Sequence, residues 1–180
     1  MEIATGLGVK APEFNLPGID GRNLSLESLL GSKRAIVVVF TCNHCPYCVA
    51  YEGRLRKMQE AYAGKGIAIV RINPDNQKEH PEDSFEEMKK RAAGKGPDFL
   101  YLRDEEGETA KAYGAKTLPE VFLLDSEGIV RYSGRIDDHW PADNRKVKRH
   151  DLKHALEDLL NDREIAVKVT KPSGCAIKWP

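Results

Sequence analysis

The spacing of apolar residues changes several times along the chain, and each change marks an element. Ile36 to Phe40 is an unbroken apolar run, short enough for a strand buried on both faces. Beyond it, Val49, Leu55, Met58 and Tyr62 recur with charges between them, which predicts a helix over 46–63 with one buried face; Pro46 suits its first turn. A further apolar run over 67–73 completes a strand-helix-strand unit, so these strands should be parallel and joined by a right-handed crossover. The polar stretch 74–97 reads as an insertion. Its helical piece over 84–93 should dock Phe85 and Met88 and turn Lys89, Lys90 and Arg91 to water. A strand over 99–102, a short helix over 108–113 ended by Gly114, and a hairpin of 121–124 with 129–133 follow. Leu152, Leu156, Leu159 and Leu160 form the core-facing stripe of a helix over 151–160. Near the start, two extended stretches around the turn at 18–21 predict an N-terminal hairpin.

The expectation is therefore an α/β domain over 1–164, with a central mixed β-sheet flanked by helices, and a C-terminal extension over 165–180. In that extension Ile165, Val167 and Val169 alternate with polar residues as in an edge strand. Ile177 and Trp179 carry enough apolar area to hold the end of the chain on the domain.

With 180 residues, 41% of them hydrophobic, the chain can bury a full core. Lys plus Arg (28) balance Asp plus Glu (28), so no net field draws it to nucleic acid or to an anionic membrane. The basic stretch 145–150 is short, lacks interleaved aromatic residues and reads as a solvated helix entry. No apolar segment is long enough for a bilayer, and residues 1–10 lack the features of a secretory signal; a soluble, cytoplasmic protein is expected. The 4 cysteines are too few for a disulfide framework, and their clustering favours catalysis or metal binding.

Three of these cysteines, Cys42, Cys45 and Cys48, lie three residues apart where the apolar strand runs into the helix. Unpaired amides and the dipole at a helix start favour a thiolate, which makes Cys45 a candidate nucleophile. Two inert buried cysteines are the plainer alternative. A metal is another: the spacing opens like an iron-sulfur motif, but position 52, where a fourth cysteine would stand, is Glu52. Zinc could recruit Cys42, Cys45 and Cys48 with His44 or Cys175, yet a strand-to-helix turn does not readily aim them at one point. No metal and no cofactor are expected. His44 supplies positive charge or a hydrogen bond beside Cys45, or is an exposed loop histidine.

The order of elements, with Ala11-Pro12-Glu13-Phe14, Cys45-Pro46-Tyr47-Cys48 and Thr117-Leu118-Pro119 before a strand, resembles the redoxin group of the thioredoxin superfamily. That group holds thiol:disulfide oxidoreductases and the alkyl hydroperoxide reductase / thiol-specific antioxidant proteins. The ending around Cys175 is similar to that of a peroxiredoxin-like branch. The resemblance implies a thioredoxin-like fold in which Cys45 is the exposed attacking thiol and Cys48 the more buried resolving thiol, joined as a disulfide on oxidation. It implies that Pro119 is a cis-proline beside the active site. Leu118 would then present its backbone to an extended substrate, with Pro46 and Tyr47 at the same surface. The family's buried acid falls at Val39, leaving Glu52 and Glu120 as candidate proton acceptors. Arg71 occupies the place of a family lysine and would favour the thiolate, or is a strand-edge surface charge.

Peroxiredoxins need Pro-x-x-x-Thr/Ser-x-x-Cys and a distant arginine. Here Val38 and Cys42 stand at the proline and hydroxyl places, and Pro119 about where the arginine belongs. Thiol:disulfide exchange on a disulfide-containing protein or a low-molecular-weight thiol therefore comes first, with a thioredoxin or glutathione system as reductant. A peroxiredoxin-like antioxidant peroxidase comes second; a metal-binding module and an inert binding scaffold follow. Cys42 and Cys175, left without roles, are a possible second redox pair.

Overall fold

The computed structural model describes residues 5–140 and 145–180. A small hairpin of β1 (Asn15–Pro17) and β2 (Asn23–Ser25) precedes β3 (Ala35–Phe40), α1 (Pro46–Ala61) and β4 (Ile67–Asn73). A 3-10 turn at Pro81–Asp83 leads into α2 (Phe85–Ala92), then β5 (Leu100–Arg103) and α3 (Glu108–Tyr113). The rest comprises β6 (Thr117–Leu118), β7 (Glu120–Asp125), β8 (Val130–Gly134), α4 (Asp151–Leu160) and β9 (Cys175–Ala176). The main sheet has five strands in the order β5-β4-β3-β7-β8. β3, β4 and β5 run parallel, whereas β7 is antiparallel to β3 and β8 to β7, so the sheet is mixed. This is the thioredoxin-like α/β arrangement.

β3 lies at the centre, and every residue from Ala35 to Phe40 is buried. Its side chains alternate between two cores. Ile36, Val38 and Phe40 pack with Phe14, Tyr113 and Ile177; Val37 and Val39 face Tyr51 and Leu55 of α1 and Leu152 and Leu156 of α4. Both faces of the strand are thus covered, the reason for its unbroken apolar run.

The insertion is fastened at both ends. Ser84 caps α2 by accepting the Glu87 N–H at 3.3 Å, and Met88 and Ala92 pack on Phe99 and Tyr101 at the β5 side. Arg91 does not simply face water as expected; its guanidinium donates to Glu52 Oε2 of α1 at 3.0 and 2.7 Å, tying the insertion to the helix that opens with Pro46. The edge strand expected over 165–169 reduces to a bridge between Val169 and Ser133, because only Ile165 finds a core while Val167 and Val169 remain exposed. The strand of the extension lies further on, at β9. The basic stretch 145–150 precedes α4 as an irregular entry, with the Lys148 and Arg149 amides donating to Asp138.

Leu156 is fully buried where α4 covers the β3 face. Leu156→Ala should cost about 2–5 kcal/mol, read as a lower urea midpoint with unchanged slope.

Candidate redox-active site

β3 ends at Phe40, and residues 41–44 carry the chain across the carboxyl edge of the sheet to α1. Cys45 takes the N-cap position with Pro46 as the first helical residue, so the sulfur stands at the helix start as expected. The Leu118–Pro119 bond is cis. The Leu118 carbonyl oxygen lies 3.6 Å from the Cys45 sulfur, so the cis-proline segment does face the cysteine. Pro46 is exposed, and Tyr47 sits half-buried, edge-on to Trp140 with ring centroids 5.5 Å apart.

The cysteine pairing departs from expectation. Cys45 is joined not to Cys48 but to Cys175, with Cα atoms 6.4 Å apart, and Cys42 and Cys48 are free. Nor is Cys45 exposed; its relative accessibility is 0%. The physical reason is the tail. β9 pairs antiparallel with β6, placing Cys175 opposite Leu118 and Ala176 opposite Thr117. Cys175 is thereby brought to the one sulfur that already touches the Leu118 carbonyl. A side chain at Gly174 would collide with that carbonyl, so glycine is what lets the strands approach. Beyond the pair, the Ile177 amide donates to the Lys116 carbonyl at 3.1 Å, and the Ile177 side chain is buried. Trp179 lies against Gly107.

Cys42 and Cys48 lie together, with sulfurs 3.9 Å apart and the Cys42 thiol donating to Cys48. Burial pushes the Cys48 thiol up, but hydrogen bonds from the Cys42 side chain, Thr41 and the Cys42 backbone outweigh it and bring Cys48 below the ordinary thiol range. Cys42 moves the other way, raised by the same hydrogen bond and by burial. Of the free pair, Cys48 is therefore the more acidic thiol.

His44 does not turn to Cys45. Its Nδ1 meets Asp83 Oδ2 and lies 3.5 Å from Asp75 Oδ2, and its ring stacks on His80 with centroids 3.8 Å apart. The sequence reading missed both aspartates. Asp83 is fully buried and also accepts the Asn43 amide at 2.5 Å and Asn73 Nδ2 at 3.0 Å. Asp75 Oδ1 accepts the Lys178 amide of the tail at 2.7 Å. Burial raises the Asp75 carboxyl against the lowering effect of that amide. The available signal was an acid just beyond a strand's carboxyl end and another in a polar insertion, too common to single out. Cys42 Sγ and ligand atoms of His44, Asp75 and Asp83 lie within 4.8 Å of one another, as do the sulfurs of Cys42, Cys45 and Cys48.

Arg71 is not a strand-edge surface charge: only 3% exposed, it lies over the Phe99 ring at 4.1 Å and donates to Gln59 at 3.2 Å. Its Nε and Nη2 find no partner, and it lines a cavity of about 20 Å³ with Cys42 and Cys48. Neither candidate proton acceptor is free. Glu52 is held by Arg91 and Lys95, and Glu120 accepts the amides of Lys116 and Thr117.

Residues 7–133, well over half of the 180, match the profile of the AhpC/TSA family. The chain belongs to the AhpC/TSA family. It is 31% identical over 134 residues to the thiol:disulfide interchange protein DsbE of Pseudomonas fluorescens biotype C, covering 73% of this chain and 69% of that one. It is 27% identical over 168 residues to peroxiredoxin Bcp of Bacillus subtilis strain 168, covering 90% and 98% of the two. Among solved structures, a conserved protein from Geobacillus kaustophilus shares 39% identity and a TM-score of 0.90 over 98% of this chain and 93% of that one. The chain is a thioredoxin-like oxidoreductase that acts through thiols and disulfides.

The Cys45–Cys175 bond closes a loop across a sequence separation of 130 residues. Chain entropy alone makes such a link worth about 5 kcal/mol against unfolding. Dithiothreitol should therefore lower the urea midpoint of the wild type by much more than that of Cys175→Ser. Gly174→Ala should lower the fraction of Cys45–Cys175 disulfide formed in a fixed glutathione buffer, measured by peptide mapping after acid quenching.

Proposed function

We propose that the protein is a thiol:disulfide oxidoreductase in which Cys45 exchanges with substrate disulfides or thiols and Cys175 is its partner within the chain. The observation that carries this is the Cys45–Cys175 disulfide lying against the Leu118 carbonyl, with β9 on the strand next to the cis-proline. The tail has the placement that an extended, cysteine-bearing peptide would take there: a backbone pairing with β6 and a sulfur on Cys45. When Cys45 attacks a substrate disulfide, one substrate sulfur leaves as a thiolate and the other stays on Cys45. Attack by the Cys175 thiolate on Cys45 releases the second substrate thiol and gives the observed disulfide. Because Cys45 is covered while Cys175 is half-buried, an incoming reductant meets Cys175 first. A dithiol protein or glutathione would restore the reduced pair, which fits reductive use against protein or low-molecular-weight disulfides in a reducing compartment such as the cytoplasm.

A peroxidase reading has support of its own, in the family match and in the near full-length similarity to peroxiredoxin Bcp. In it, Cys45 would form a sulfenic acid and Cys175 would condense with it, expelling water and leaving the same disulfide. Against it, Val38 is fully buried in the core and Cys42 holds the place of the hydroxyl.

The deciding experiment measures insulin-disulfide reduction and peroxide consumption side by side. Wild type should catalyse the first far faster than the second, and Cys45→Ser should fall to background in both. Peroxide turnover without insulin reduction would reverse the order of the readings, and full exchange activity in Cys45→Ser would end both.

A further inference from the structure

The exchange just described uses Cys45 and Cys175 and leaves two thiols unexplained. They are not scattered: Cys42 and Cys48 are each 4% exposed, 3.9 Å apart, and within 4.8 Å of the Cys45 sulfur. A disulfide needs sulfurs at about 2.05 Å, so closing the Cys42–Cys48 gap takes a shift of about 2 Å, within reach of side-chain rotation.

We propose that Cys42 is a further catalytic thiol, which closes an internal Cys42–Cys48 disulfide and so draws the oxidised state away from Cys45 and the tail. The inference rests on the thiol:disulfide reading of Cys45 and extends it by two exchanges. First, the Cys48 thiolate attacks Cys45 Sγ; the Cys45–Cys48 bond forms, the Cys45–Cys175 bond breaks, and Cys175 leaves as a thiolate that takes a proton from solvent. Next, Cys42 gives up its proton and its thiolate attacks Cys48 Sγ, forming Cys42–Cys48 and releasing Cys45 as a thiolate. No electrons enter or leave. The molecule stays two electrons oxidised, but the tail is released and Cys45 is again a nucleophile. A second substrate disulfide can then be reduced by Cys45 and Cys175, so the chain takes up four oxidising equivalents as two disulfides.

The surroundings fit this order. Cys48 has the lowered thiol and is the attacking group of the first exchange; Cys42, its hydrogen-bond donor, follows. The Arg71 guanidinium, buried with two nitrogens unpartnered, borders the cavity that both sulfurs line. A plain Cys-x-x-Cys site has no use for a third sulfur at this distance.

The test is a thiol map of the wild type equilibrated with excess diamide, acid-quenched and alkylated in denaturant. Wild type should carry no alkyl tag, with Cys42 linked to Cys48 and Cys45 to Cys175. The same map on Cys175→Ser, where three thiols can form one disulfide, should place the tag on Cys45. A tag on Cys42 in either protein would overturn the proposal. Insulin reduction by untreated wild type with dithiothreitol as reductant keeps the outcomes distinct, since retained exchange with a tagged Cys42 removes the inner pair alone, whereas lost exchange removes the Cys45 reading itself.

Discussion

The site depends on a pairing of two residues with two. β6 and β9 together are too short to hold by their own ladder, since isolated strand pairs are marginal even when longer. The contact persists because its neighbours hold it: Gly174 permits the approach, Ile177 buries its side chain in the main core, and the Lys178 amide ends on Asp75. From that pairing follow the covering of Cys45, the choice of Cys175 as its partner and the half-exposed sulfur that a reductant meets first.

A second constraint is electrostatic. Asp75 and Asp83 are buried carboxylates beside one another, a costly placement unless hydrogen bonds and positive charge offset it. His44, Asn43, Asn73 and the tail amide of Lys178 provide those partners. The network therefore joins the loop before α1, the strand β4, the insertion and the tail at one point. It also explains why His44 is unavailable to Cys45: its Nδ1 is committed to the acids. The hydrogen bond that Cys42 donates to Cys48 drives the free thiols beside it apart in acidity, together with burial, which raises Cys42, and the hydrogen bonds of Thr41 and the Cys42 backbone, which lower Cys48.

The elements that build the sheet were legible because their periods are strong and local. The run Ala35 to Phe40, the helix opened by Pro46 and the hairpin around 125–128 announce themselves within a few residues. The placement of Cys45 at the helix start and the cis bond at Pro119 were legible through the family's motifs. What the sequence could not show is what long-range closure decides. Nothing near Cys175 says that it meets Cys45 rather than Cys42; that follows from the register of β9 on β6. Arg71 could be read as a charge favouring the thiolate or as a strand-edge surface charge with equal ease, because the burial that excludes the second comes from the distant Phe99 ring. The alternation of Ile165, Val167 and Val169 suggested a strand, but a period of two makes a strand only where its apolar face is covered, and here Val167 and Val169 stay exposed and the pairing with β8 is a bridge at Ser133.

The position of Cys42 ties the chemistry to the family. A peroxidase of the resembling kind would use a hydroxyl here, which can donate to or accept from a bound peroxide but cannot carry electrons. A thiol in the same place, 3.9 Å from Cys48 and shut away from water, is a poor donor to peroxide and a workable partner for a sulfur. Val38 fills the first position of the same motif with a fully buried side chain in the interior of β3, where it packs as core. Both changes act in one direction: each departs from the motif with which peroxiredoxins hold an oxygen substrate. On an AhpC/TSA scaffold, that is the ground for placing the proposed thiol exchange ahead of the peroxidase reading.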